Sequence, residues 1–259
     1  MANKARVLVT RPAPQAAKLC AALESEGFTV HCQPLLELVA PLAMPARQRR
    51  QIQDLDQFRH IVFVSGNAVN FGMGWIEDFW PQLPVGVAWY AIGDATARLL
   101  RDYGVAAVTS DKAMTSESLL AISQLQEVSG DRVLIVKGEG GRTAIQSALT
   151  SRGAQVEVLE CYRRQCPDLP AGALSSMLAQ WQIDLVLISS GEGLCNFLTL
   201  LSPQETTKLL TVTLVVPSKR VAKMARDAGF MRVHTADNAS DAAMQSAAEN
   251  WCRASETIG

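Results

Sequence analysis

The chain has 259 residues, of which 48% are hydrophobic and 19% charged: enough for two domains with real cores, and too apolar for a disordered chain. Lys and Arg number 24 against 25 for Asp and Glu, giving a formal net charge of −1. That balance argues against nucleic acid as a partner, which calls for a basic face or stripe, so any anionic ligand has to be met by local arrangement.

The opening MANKARVLVTRP lacks the apolar core of a signal peptide, and no apolar run reaches the ~18 residues of a membrane span. The expectation is a cytoplasmic protein with no membrane partner. A strand near 6–10 runs into Thr10-Arg11 and a helical pattern, closed by Gly27 before a second strand near 29–32. The following CQPLLELVAPLAMP is extended and punctuated by Pro34, Pro41 and Pro45. RQRRQ at 47–51 reads as the solvated face of a helix leading to DLDQF. IVFVSGNAV then places a buried strand near 60–65 before the small-residue turn Ser65-Gly66-Asn67 and a helix. Such a turn exposes backbone N–H groups to an anion. Yet it has neither the lysine of a phosphate-binding loop nor the three glycines of a dinucleotide site.

Next come a strand near 87–92, the turn Gly93-Asp94 with Asp94 as N-cap, and a helix closed by Gly104. A strand near 106–109 and a helix opened by Thr115-Ser116 complete the first half. The second half has strands near 132–137, 155–162, 184–189, 212–216 and 231–235. Its turns are Gly138 with Gly140-Gly141-Arg142, Ser189-Ser190-Gly191, and Pro217-Ser218-Lys219. Ser218 stands as an N-cap, Gly229 as a C′ glycine, and Ser202 with Glu205 at capping-box spacing.

The halves repeat. ARVLVTRP resembles DRVLIVKG with Arg6 over Arg132, a separation of 126. IVFVSGNA resembles VLISSGEG, and ARLLRDYGV resembles AKMARDAGF, both at a separation of 125. Alternating strands and helices in each half predict an α/β fold of two parallel-sheet domains arising from an internal duplication. The proline-punctuated segments after the second strand of each half, near 33–40 and 158–166, can pair as a two-stranded connector. That crossing divides the chain into 1–37 plus 164–259, and 38–163.

Several residues carry little chemistry by pattern. The six cysteines form no C-x-x-C pair and read as free thiols in a reducing compartment. His31, His60 and His234 have no ligand spacing, so no metal is expected. Trp75, Trp80 and Trp89 read as packing residues.

VLVTRP, VFVSGNAV, YAIGDATARLL followed by TSESLL, GGRTAIQSALTSRGAQVEVLECYRR and VVPSKRVAKMARDAGF, in this order across essentially the whole chain, resemble the uroporphyrinogen-III synthase family. The resemblance implies two flavodoxin-like domains joined by a β-ladder, with the tetrapyrrole held between them. It implies a cofactor-free lyase that closes linear hydroxymethylbilane to uroporphyrinogen III, with loss of water and inversion of ring D. It also matches Tyr162, in LECYRR, to the family's connector tyrosine, a candidate general acid able to donate while neutral. A monomer is expected, in transient contact at most with hydroxymethylbilane synthase.

A substrate with eight carboxylates calls for many hydrogen-bond donors, which strand-to-helix turns supply. The candidates are Ser65, Gly66, Asn67, Gly93, Thr96, Thr115, Ser116, Gly138 and Arg142, with Thr10, Arg11, Ser189, Ser190, Gly191, Pro217, Ser218 and Lys219 from the other turns. Each Ser, Thr, Asn or Gly among them also has a bland role as a helix cap, and Arg11 and Lys219 as surface charges. Pattern alone leaves open a second reading, a two-lobed sensor that binds a small molecule without turning it over.

Overall fold

The computed structural model describes residues 4–110, 115–141, 143–202, 204–205 and 210–256. The chain divides into two compact units, Met1–Glu37 with Gln165–Gly259, and Leu38–Arg164. In chain order the elements are β1 (Arg6–Val9), α1 (Ala13–Ser25), β2 (Thr29–Cys32), β3 (Glu37–Val39), α2 (Ala46–Gln53), β4 (His60–Phe63) and α3 (Gly66–Glu77). β5 (Ala88–Ala91), α4 (Asp94–Asp102), α5 (Ser116–Leu120), β6 (Arg132–Gly138), α6 (Ala144–Ser151) and β7 (Gln155–Gln165) follow. The chain closes with α7 (Ala173–Gln180), β8 (Leu185–Leu187), α8 (Gly191–Thr199), β9 (Thr213–Val216), α9 (Lys219–Asp227), β10 (Val233–Thr235) and α10 (Asp241–Glu256).

One sheet has the order β10-β9-β8-β1-β2, with every neighbour parallel. The other has the order β3-β7-β6-β4-β5, parallel from β7 to β5. Parallel strands covered on both faces need apolar residues at every position, and the sequence supplies them. In β1, Val7 and Val9 pack with α1 and α10, while Leu8 packs with α8 and α9. In β4, Ile61 and Phe63 pack with α3 and α4, and Val62 packs on the opposite face with Ile145 and Leu149 of α6.

Helix ends follow local chemistry. Ser65, Ser190 and Ser218 cap α3, α8 and α9, each accepting through its hydroxyl oxygen from the third residue on. Gly104 and Gly229 end α4 and α9 at φ 76° and 98°. Ser202 and Glu205 exchange the two hydrogen bonds of a capping box.

Three expectations are corrected. Asp94 is the first helical residue of α4, and Gly93 at φ 80° holds the N-cap position without a side-chain cap. The strand near 106–109 is reduced to one bridge, Tyr90 to Val108, consistent with the poor β propensity of Ala106-Ala107. Within RQRRQ the arginines are exposed, but Gln51 turns inward and donates to Glu157 and the carbonyl of Val158. Trp75, Trp80 and Trp89 pack in or against the core of the second unit. His60 is buried between the Tyr90 hydroxyl and the Asp131 carboxylate.

Candidate functional site

Where the strand order of a parallel sheet reverses, the two flanking strands send their helices to opposite faces and their turns part, leaving a crevice at the carboxyl ends. The reversal falls between β6 and β4 in one sheet and between β1 and β8 in the other. A cavity lies at each.

The cavity in the Leu38–Arg164 unit has a volume of about 340 Å³. Ser65 from the turn after β4, Gly138 at the end of β6 with Glu139 to Gly141 from the turn that follows, and Thr115 with Ser116 at the start of α5 form much of its rim. Tyr162 and Arg164 enter from β7 and Lys137 from β6, while Ile135, Ile145 and Val158 give an apolar floor. Two cations and a carboxylate, Glu139, therefore share the walls with hydroxyls and backbone amides. An apolar floor with a few polar and charged groups at the rim is the make-up of a small-molecule site.

Tyr162 is placed by a break in strand pairing. Lys137 pairs with Glu160, but Gly138 pairs with Tyr162, so Cys161 is the extra residue of a bulge. Both Cys161 and Tyr162 are buried in consequence, against the usual alternation. The single S–H of Cys161 has the carbonyl of Lys137 at 3.4 Å as its nearer acceptor and that of Ala68 at 3.8 Å as the alternative, and burial pushes the thiol pKa up to about 12. It stays protonated.

The second cavity, about 270 Å³, is lined by Thr10, Arg11, Ser189 and Ser190 together with Gln15 and Leu36. Its polar groups are strongly tied internally. The Thr10 hydroxyl donates to the carbonyl of Leu187 at 2.7 Å. Arg11, 9% exposed, donates through Nε to Ser189 Oγ at 2.8 Å and through its terminal nitrogens to Asp241 and the carbonyl of Ala239.

The remaining candidates stand apart from these linings. Gly66 and Asn67 belong to the first turn of α3, where a Cβ on Gly66 would meet Leu99 at 2.8 Å. Gly93 lies at the start of α4, and the Thr96 side chain is buried, so Ile92 is the residue of that turn that reaches the cavity. Gly191, Pro217, Ser218 and Lys219 sit at the carboxyl ends of β8 and β9, with Lys219 exposed and Pro217 buried. Arg142 lies outside the described residues.

Sequence reasoning missed Arg164. The signal was available, since Arg164 is two residues beyond Tyr162 on an extended segment and so shares its face. Among the described residues, no group of three or more His, Cys, Asp or Glu side chains is placed to hold a metal ion. None of their helices is long and apolar enough to cross a membrane.

Comparison with known proteins points in one direction. The model of the uroporphyrinogen-III synthase HemD family matches residues 17–246. The uroporphyrinogen-III synthase of Escherichia coli K12 is 35% identical over 251 residues, covering 92% of this chain and 97% of the relative. That of Salmonella typhimurium is 33% identical, with the same coverage of 92% and 97%. Among solved structures, uroporphyrinogen-III synthetase from Helicobacter pylori aligns with a TM-score of 0.58 at 13% identity, covering 95% of this chain and 99% of that one. A mutant uroporphyrinogen III synthase from the extremely thermophilic bacterium Thermus thermophilus aligns with a TM-score of 0.55 at 19% identity, covering 98% and 99%. These two likenesses establish a shared α/β fold.

Proposed function

The chain belongs to the uroporphyrinogen-III synthase family, and from that premise we propose how its residues close hydroxymethylbilane to uroporphyrinogen III. It is a lyase of tetrapyrrole biosynthesis, acting on a small-molecule substrate. The observation that carries the mechanistic reading is the cavity at the β6/β4 reversal, where Ser65, Thr115, Ser116, Gly138 and Tyr162 meet Lys137 and Arg164.

The phenol of Tyr162 protonates the hydroxyl of the ring A hydroxymethyl group as it leaves, so that water departs and the pyrrole nitrogen lone pair forms an azafulvenium cation. The substituted α carbon of ring D attacks that cation and gives a spiro intermediate. Fragmentation and recombination at the unsubstituted α carbon of ring D then invert the ring. The proton released from that carbon balances the one donated at the start. Lys137, Arg164 and the N–H groups of the turns hold the carboxylates and keep the chain curled, an orientation effect that can contribute up to ~7–11 kcal/mol. Selecting one closure over another requires far less, since ~1.4 kcal/mol is already tenfold.

The same reading extends to Ser189-Ser190-Gly191 and Pro217-Ser218-Lys219 as further carboxylate donors, and to Thr10-Arg11 only by way of its backbone, since both side chains are already tied within the protein. We take the two sheets as flavodoxin-like products of a duplication. The order β2-β1-β8-β9-β10 in one and β7-β6-β4-β5 in the other supports this, because repeat-related strands hold matching places. β3, neighbour to β7, supports the two-stranded link between 33–40 and 158–166. The domains are then 1–37 with 164–259, and 38–163. A cytoplasmic, cofactor-free monomer, meeting hydroxymethylbilane synthase only transiently, completes the proposal.

The test is incubation of the purified chain with freshly made hydroxymethylbilane, followed by oxidation and separation of the isomers. Predominance of isomer III is expected. An isomer ratio equal to that of spontaneous closure overturns the assignment and favours a binding protein.

A further inference from the structure

Resting on the reading of Tyr162 as general acid, the geometry points to Phe71 and Gly138 as positioning residues that clamp the Tyr162 ring and so aim its hydroxyl. Phe71 stacks on the ring with centroids 5.1 Å and planes 26° apart. Gly138 abuts the hydroxyl-bearing end. A Cβ there would stand 2.6 Å from Tyr162 Cε2 and Cζ and 3.0 Å from its hydroxyl oxygen, closer than packed atoms approach. Gly140 and Gly141 have φ of 70° and 78°, but Gly138 is not in the left-handed region. It is therefore the ring, and not the turn, that calls for glycine at 138.

The backbone is fixed to match. The bulge brings Tyr162 opposite Gly138, and the Glu139 N–H donates to the Tyr162 carbonyl at 2.7 Å. Bulges beside functional sites re-aim side chains, and this one turns the phenol toward the cavity wall. Phe71 does not line that cavity, so its effect on turnover has to pass through the residues it packs against. It rises from α3, the helix whose preceding turn supplies Ser65.

The experiment uses the full chain as wild type, Phe71→Leu, Phe71→Tyr, Gly138→Ala, Tyr162→Phe and the Phe71→Leu/Tyr162→Phe double variant. Steady-state kinetics with hydroxymethylbilane are paired with ¹⁹F NMR of protein labelled with 3-fluorotyrosine. The chain has only 3 tyrosines, so the Tyr162 signal is assigned by its absence in Tyr162→Phe. Phe71→Leu should lower kcat roughly three- to tenfold, the scale of one aromatic pair, with KM within about twofold. Phe71→Tyr, which keeps the flat face, should restore kcat. In the Tyr162→Phe background Phe71→Leu should cost little more, and in both Phe71→Leu and Gly138→Ala the Tyr162 resonance should move. An equal loss of kcat from Phe71→Leu in both backgrounds, or an unmoved resonance, overturns the clamp. Should Tyr162→Phe turn over like wild type, the acid role is lost. The resonance then decides alone, a shift supporting the clamp and no shift overturning it.

Discussion

Gly72 and Gly74 lie two residues apart in α3 and should answer substitution by alanine with opposite signs. A Cβ on Gly72 would stand 2.6 Å from Val136 Cγ1 and 3.3 Å from Phe63 Cε1, whereas a Cβ on Gly74 would meet nothing within 4 Å. Neither glycine has a left-handed backbone, so helix propensity alone favours alanine by about 0.5–1 kcal/mol at both. At the exposed Gly74 that is the whole effect. At Gly72 the added methyl must push β4 and β6 side chains out of a filled core, at a typical cost of about 1–3 kcal/mol. The net expectation is a loss of roughly 0.5–2 kcal/mol. Urea unfolding monitored by tryptophan emission measures both, with Trp181 and Trp251 replaced by Phe so that Trp75, Trp80 and Trp89 report on this unit. The midpoint should fall for Gly72→Ala and rise for Gly74→Ala, with m unchanged. Shifts of the same sign would refute the steric reasoning.

Three other outcomes are expected. Arg11→Met should destabilise its unit by about 1–3 kcal/mol by stranding Asp241, Ser189 and the Ala239 carbonyl, and Arg11→Lys should not rescue it; thermal melts of the three proteins check this. Cys161, its pKa pushed up to about 12, should resist alkylation in the native protein at pH 8 while the exposed Cys195 reacts, as read by mass spectrometry. Burial alone raises the Glu157 carboxyl, but hydrogen bonds from Arg132 and Gln51 with the Arg132 and Arg47 charges leave it lowered. A lowered folded value means its stabilisation is complete above the unfolded value of about 4.3 and is lost as pH falls through the folded one. The gap in urea midpoint between wild type and Glu157→Gln should therefore shrink in acid, and a constant gap from pH 7 downward would refute this.

Strand positions were legible because parallel strands buried on both faces are written as unbroken apolar runs, as in Val7-Leu8-Val9 and Val133-Leu134-Ile135-Val136. The carboxyl-end turns were legible too, since Ser65 and Ser190 each end such a run and open a helix. Hydrogen bonding across long separations was not. Arg11 is spent on Asp241, 230 residues away, and no local pattern announces that. The bulge at Cys161 escaped for a similar reason. It is defined by the register of β7 against β6, and the single strand read alone gives ordinary alternation.

Capping and substrate binding are often treated as rival explanations for a serine at a helix start, but here their demands are complementary. Ser65, Ser190 and Ser218 use a hydroxyl lone pair to accept from Ala68, Gly193 and Val221. A hydroxyl has two lone pairs and one proton, so capping leaves its donor unspent. It also occupies only the third residue's N–H, leaving the earlier amides of the first turn directed outward with the positive end of the helix dipole. An anion seated there meets a hydroxyl proton and backbone amides that are already fixed in place. A fixed donor loses little entropy on binding, whereas a long lysine side chain must be immobilised. For a substrate whose closure depends on how it is folded, rigid donors at several turns are better suited than one flexible charge. On the proposed assignment of these turns, a chain of net charge −1 meets a polyacid with fixed local donors and needs no overall positive charge.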